Sequence, residues 1–177
     1  SAAGHADASA QEEEVVSAGV SIRTGGEDEE LLEVFLEEAR EVMETLRSNL
    51  EISRLHSDSR EPLTIMRRAF HTLKGSGRMV GLTELGEVAW AVERAMNRWL
   101  QENKPASPAL LDMIGDAEVL FQHWVDMLNN GSTSATIDTT HLLAVADCIE
   151  NGKEPPQPER KEELLPDEMA EVLPQEQ

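Results

Sequence analysis

The chain has 177 residues, carries a formal net charge of −20 and is 40% hydrophobic by composition. That length suggests one domain with tails, and the acidic balance argues against nucleic acid and against an anionic membrane, both of which need a basic surface. No apolar run approaches the ~20 residues of a membrane span, the N-terminus lacks the basic start and apolar core of a signal peptide, and the single cysteine, Cys148, permits no intrachain disulfide, so a cytoplasmic setting is expected.

Residues 1–26 are Ala, Gly, Ser and Glu with little periodicity and read as a flexible acidic linker. Residues 152–177 carry Pro155, Pro156, Pro158, Pro166 and Pro174 among many acids and read as a second, extended linker. Between them, residues 27–151 read as helical. A compact middle between two such linkers suggests a piece of a longer, multidomain protein.

The first helix is expected from about Asp28 to Leu55, with Leu32, Phe35, Ala39, Val42, Met43, Leu46 and Leu50 as its apolar stripe. His56-Ser57-Asp58-Ser59 breaks it, and Pro62 suits the first turn of a second helix that ends near Gly81. A third helix starts at about Thr83, a plausible cap, and buries Leu82, Leu85, Ala89, Val92, Met96 and Trp99. Asn103 and Pro105 stop it. The fourth has Ser107 as cap and Pro108 as first residue, and ends at Asn129-Asn130-Gly131. Asn130-Gly131-Ser132 matches a glycosylation acceptor, but a helix-ending turn is the simpler reading. Asp138 or Thr139 could cap a fifth helix running to about Glu150. Strand-like alternation is almost absent. Short connections favour antiparallel neighbours, so the expected fold is all-α: an up-and-down antiparallel four-helix bundle with an additional C-terminal helix.

The second helix carries the chemistry. Leu63, Met66, Phe70, Leu73, Gly77 and Val80 form its apolar stripe. Arg67, His71, Lys74 and Arg78 form another, at i, i+4, i+7 and i+11, on a different face. The histidine should therefore point outward among basic side chains. Gly75, Ser76 and Gly77 follow it. Glycine inside a helix costs about 1 kcal/mol relative to alanine, which is reasonable where another protein approaches the backbone closely. The remaining histidines, His5, His56, His123 and His141, have no carboxylate or cysteine at ligand spacing and read as structural or solvated. Trp90, Trp99 and Trp124 read as packing residues. Gly75-Ser76-Gly77 lacks the spacing of a nucleotide-binding loop.

The pattern His71-x-Leu73-Lys74-Gly75-Ser76, with Gly81 and Leu85 beyond, resembles a histidine phosphotransfer (Hpt) domain over roughly residues 28 to 150. The resemblance implies that His71 is the phosphorylated residue, through Nε2, that Lys74 supports it and that Gly75 is the close-approach glycine. It is nearest to the chemotaxis-kinase (CheA-like) branch of hybrid sensor kinases. There a carboxylate on the following helix bonds the other ring nitrogen, and that place is Glu93 here. Trp90 stands where that branch often has a second histidine, so no role is carried over for it. Gly77 stands where alanine or serine is commoner. The wider sequence is similar to the kinases with several Hpt modules that govern type IV pilus twitching motility.

What the resemblance implies is a phosphoryl carrier without its own ATP site, part of a larger histidine kinase. Its partners would be a histidine kinase catalytic domain and a response-regulator receiver domain, with no nucleic acid and no membrane. No intrinsic cofactor is expected, and Mg2+ would come with the receiver. Arg67, Arg68, Gly75, Gly77 and Arg78 are the candidate partner contacts. The alternative is a docking module that kept the bundle and lost the chemistry.

Overall fold

A computed structural model describes residues 26–132 and 136–155. Most of the two expected linkers, 1–26 and 152–177, lies outside the described residues. The described residues form five helices in order: α1 Gly26–Leu55, α2 Arg60–Met79, α3 Thr83–Gln101, α4 Pro108–Asn129 and α5 Thr140–Glu150. There is no strand among the described residues.

The helix ends show why the chain turns where it does. α2 stops because Gly81 takes φ +82°, a left-handed conformation that glycine adopts without steric penalty. Leu82 N–H then donates to Gly77 O at 2.8 Å and Gly81 N–H to Arg78 O at 3.2 Å, the paired bonds of a Schellman ending. Gly131 ends α4 in the same way, with Ser132 N–H bonded to Met127 O at 3.0 Å, so Asn130-Gly131-Ser132 is indeed a helix-ending turn. At the start of α4, Ser107 Oγ accepts from Leu110 N–H at 3.1 Å, with Pro108 as first residue. One expected cap differs, and of the two candidates at α5 one makes a bond. Thr83 lies inside α3 and makes no capping bond, the N-cap being Leu82. At α5, Thr139 occupies the N-cap without capping, and Asp138 Oδ1 accepts from Thr140 N–H at 3.0 Å instead.

Cross-helix contacts set the directions. His71 meets Glu93 and Arg78 meets Glu87, so α2 and α3 run antiparallel. Arg47 Nη2 donates to Glu118 at 2.7 Å and Arg40 Nη2 to Asn129 at 2.6 Å, so α1 and α4 do too. The core is made by all five helices, with Phe35, Leu46, Met66, Phe70, Val92, Ile114 and Phe121 almost fully enclosed. α5 is not an appendage: Leu142, Val145, Ala146 and Ile149 are buried, and α5 packs on α3 more extensively than α4 does. Of the three tryptophans, Trp124 is buried beside Phe121, 5.7 Å between centroids, whereas Trp90 is 40% exposed. Trp90 packs at the surface of the bundle and not in its core.

Candidate functional site

The α2 pattern produces the two faces expected of it. Leu63, Met66, Phe70, Leu73 and Gly77 are buried; His71 and Arg78 are exposed, and Arg67 and Lys74 are half-buried. Helical side chains three and four apart share a surface, so His71 and Lys74 both lean over the same strip of α3. What brings that strip within reach is a close α2–α3 approach through two glycines. A Cβ on Gly77 would stand 2.8 Å from Leu85 Cδ2, and one on Gly86 would stand 2.8 Å from Arg78 Cγ and 3.3 Å from Lys74 O.

Glu93 of α3 fills the resulting position. Its Oε1 lies 2.7 Å from His71 Nδ1 and its Oε2 accepts from Lys74 Nζ at 2.7 Å. The Glu93 side chain is 6% exposed, that of Lys74 18% and that of His71 62%. Burial pushes the Glu93 carboxyl up, but the hydrogen bonds from Lys74 and His71, with their charges, outweigh it and hold the group below its ordinary 4.5. An ionised carboxylate can only accept. A neutral His71 bonded to it therefore carries its proton on Nδ1 and donates it, and in that tautomer Nε2 keeps its lone pair. The arrangement favours one tautomer of the neutral His71 ring.

The other candidate residues separate. Gly75 is exposed, and a Cβ there would meet nothing within 4 Å. Gly77 is buried against Leu85, so the expectation that it contacts a partner is corrected: it serves helix packing within the bundle. Arg67 and Arg68 have no ion-pair partner among the described residues, whereas Arg78 Nη2 is bonded to Glu87 Oε1 at 2.8 Å. The bond from Lys74 to Glu93 was not anticipated from the sequence. Neither were the contacts of Arg78 and Arg94 with Trp90, with ring-centroid distances of 5.5 and 4.1 Å. The three- and four-residue steps among Trp90, Glu93 and Arg94 were the available signal. No metal-binding cluster of His, Cys, Asp and Glu occurs among the described residues. No helix among them is long and apolar enough to cross a membrane. Two surface clefts, one lined by Arg60, Asn103 and Lys104 and one by Asp116, His123 and Asp138, include none of the His71 site.

A family model described as "Hpt domain" matches residues 30–131, from the first turns of α1 to the end of α4. The chain is similar to "Chemotaxis protein CheA" of Treponema pallidum (strain Nichols), 32% identical over 87 residues, which is 49% of this chain and 11% of that protein. No solved structure matches it.

Proposed function

Because the chain belongs to the Hpt domain family, we propose that it carries a phosphoryl group on His71 within a phosphorelay, passing it between a histidine kinase domain and a receiver aspartate. The observation that carries this reading is the 2.7 Å approach of His71 Nδ1 to the buried Glu93 carboxylate on an imidazole that is itself 62% exposed.

In the forward step the Nε2 lone pair forms a bond to phosphorus. The bond from phosphorus to its leaving oxygen, on a nucleotide or on an aspartyl phosphate, breaks, and the electron pair leaves with that oxygen. The imidazole becomes cationic as it attacks, and Glu93 lies against the Nδ1–H where that charge develops. Lys74 adds positive charge one turn away, toward the equatorial oxygens of the group in flight. The reverse step returns the phosphoryl to a carboxylate. Magnesium and the acceptor aspartate belong to the receiver, whose acidic pocket is complementary to the cations around His71. Gly75 leaves room there for a partner's backbone.

The setting we assign is a chemotaxis-type signalling kinase with a further kinase domain. Its finer form is a kinase with several Hpt modules acting in twitching motility, as the sequence resemblance suggests. The decisive experiment offers magnesium and a panel of phosphorylated receiver domains to this protein and to His71→Gln. Acid-labile, alkali-stable label on the wild type alone is the expected result. Equal labelling of the variant, or signalling that survives the substitution unchanged, would overturn the carrier reading in favour of a docking module.

A further inference from the structure

The solvent side of α3 carries contacts that the transfer step does not use. Arg78 crosses from α2 over the space left by Gly86 and donates to Glu87 at 2.8 Å, with its guanidinium carbon over the Trp90 ring, 5.5 Å from the centroid. Arg94, one turn further along α3, lies over the same ring at 4.1 Å. Its Nε donates to both carboxylate oxygens of Glu150 at 3.1 Å. Glu150 is the last residue of α5. Trp90 is thus where α2, α3 and α5 are joined at the surface, and it precedes Glu93 by three residues, one helical turn.

An indole left 40% exposed is poorly explained by burial alone. Two guanidiniums over one ring would repel each other, but here each has a carboxylate of its own. Cation–π attraction then holds both against the ring. The Hpt match stops at residue 131, so α5 lies outside it, yet the end of α5 grips the arginine that covers Trp90.

We propose that Trp90 is a positioning residue for the His71–Glu93 pair, and that through Arg94 and Glu150 it couples α5 to that pair. Glu93 must satisfy His71 and Lys74 at once, one oxygen each, which fixes how α3 is rotated and set against α2. Releasing the Trp90 contacts frees α3 to shift. The Nδ1 bond then lengthens, and His71 samples the tautomer whose Nε2 is protonated and cannot attack. The kinetic consequence rests on the phosphotransfer reading; the positioning does not.

The test uses the full chain, labelled with nitrogen-15, as wild type, Trp90→Ala, Trp90→Phe and Glu150→Gln. The ring-nitrogen resonances of His71 report the tautomer in mildly alkaline buffer, and labelling by a phosphorylated receiver reports the rate. Wild type should show the Nδ1–H form alone. Trp90→Ala should show both tautomers and react about tenfold more slowly, the scale that two lost cation–π contacts set. Trp90→Phe should restore most of both properties, because a phenyl ring still attracts the guanidiniums, and Glu150→Gln should shift them in the same direction by less. An unchanged tautomer in Trp90→Ala, or a Trp90→Phe protein as impaired as Trp90→Ala, would overturn the proposal. If Trp90→Ala does not fold, Glu150→Gln decides, and an unchanged tautomer there overturns the coupling to α5. A wild type that takes no label would sink the phosphotransfer reading, while the tautomer would still judge Trp90.

Discussion

His71 Nδ1 and Glu93 Oε1 stand 2.7 Å apart, yet the imidazole is 62% exposed and the carboxylate 6%. The pair therefore divides the work by depth. The buried carboxylate accepts the Nδ1–H of the neutral ring, and the ring itself is open to solvent.

Glu93→Gln tests that division. An amide offers one acceptor and one donor group, but Glu93 faces two donors, His71 Nδ1–H and Lys74 Nζ. Neither orientation of the amide serves both. Phosphorylation of Glu93→Gln should slow by about 10- to 100-fold, the range that losing a carboxylate behind a metal-bound histidine sets. Circular dichroism should stay helical, and initial rates with a phosphorylated receiver are the measurement.

The acid limb of stability should report the same carboxylate. Its folded-state pKa lies below 4.5, so the unfolded chain binds its proton at higher pH than the folded one does. The stabilisation is then fully present above the unfolded value, and it is lost as pH falls through the folded value. Urea midpoints for wild type and Glu93→Gln should differ most near neutral pH and converge as pH drops below 4.5. Exposed Glu102 and Asp138 are also lowered, Glu102 by its bonds to Lys104 and Arg98 and Asp138 by its bonds to Thr140. Both stay in each protein, so the difference isolates Glu93. A gap that stays constant across the titration would contradict the paired-carboxylate account.

Much of this was legible from residue spacing. The apolar stripes mark five helices and put Lys74 on the His71 stripe, while Glu93 is implied by the family resemblance and not by spacing. What spacing does not encode is which neighbour a small residue faces. Gly75 and Gly77 look alike in the sequence, but they project about 200° apart around α2, one to solvent and one onto Leu85. The setting of Trp90 was illegible for a related reason: nothing local announces that two arginines, one of them on α2, will hold an indole at the surface. The place of α5 against α3 was illegible as well, since a connecting loop fixes reach and not partner.

Ser53 supplies an independent check of the packing. It is fully buried in α1, and its Oγ has no hydrogen-bond partner among the described residues. A buried hydroxyl without a partner forfeits its hydration with nothing in return. Ser53→Ala should therefore raise stability, by about 1 kcal/mol in urea unfolding. A loss of stability instead would mean that the hydroxyl has a partner in solution, such as the carbonyl one turn earlier.

Gly75 and Gly86 offer the sharpest separation of docking from chemistry. A methyl on Gly75 enters open space, so Gly75→Ala should stabilise the isolated protein by about 1 kcal/mol through helix propensity alone. If a partner's backbone approaches there, the same methyl should slow transfer from a receiver while leaving the reaction with phosphoramidate, a small donor, unchanged. Gly86→Ala acts differently. Its methyl would press on Arg78 Cγ and on the backbone oxygen of Lys74, forcing α3 away from α2 and drawing Glu93 off His71. That variant should lose stability and slow with both donors. Comparing the two donors on the two variants shows whether a defect lies in the approach to His71 or in the His71–Glu93 pair. Gly75→Ala that slows with phosphoramidate as much as with the receiver would remove Gly75 from the docking surface.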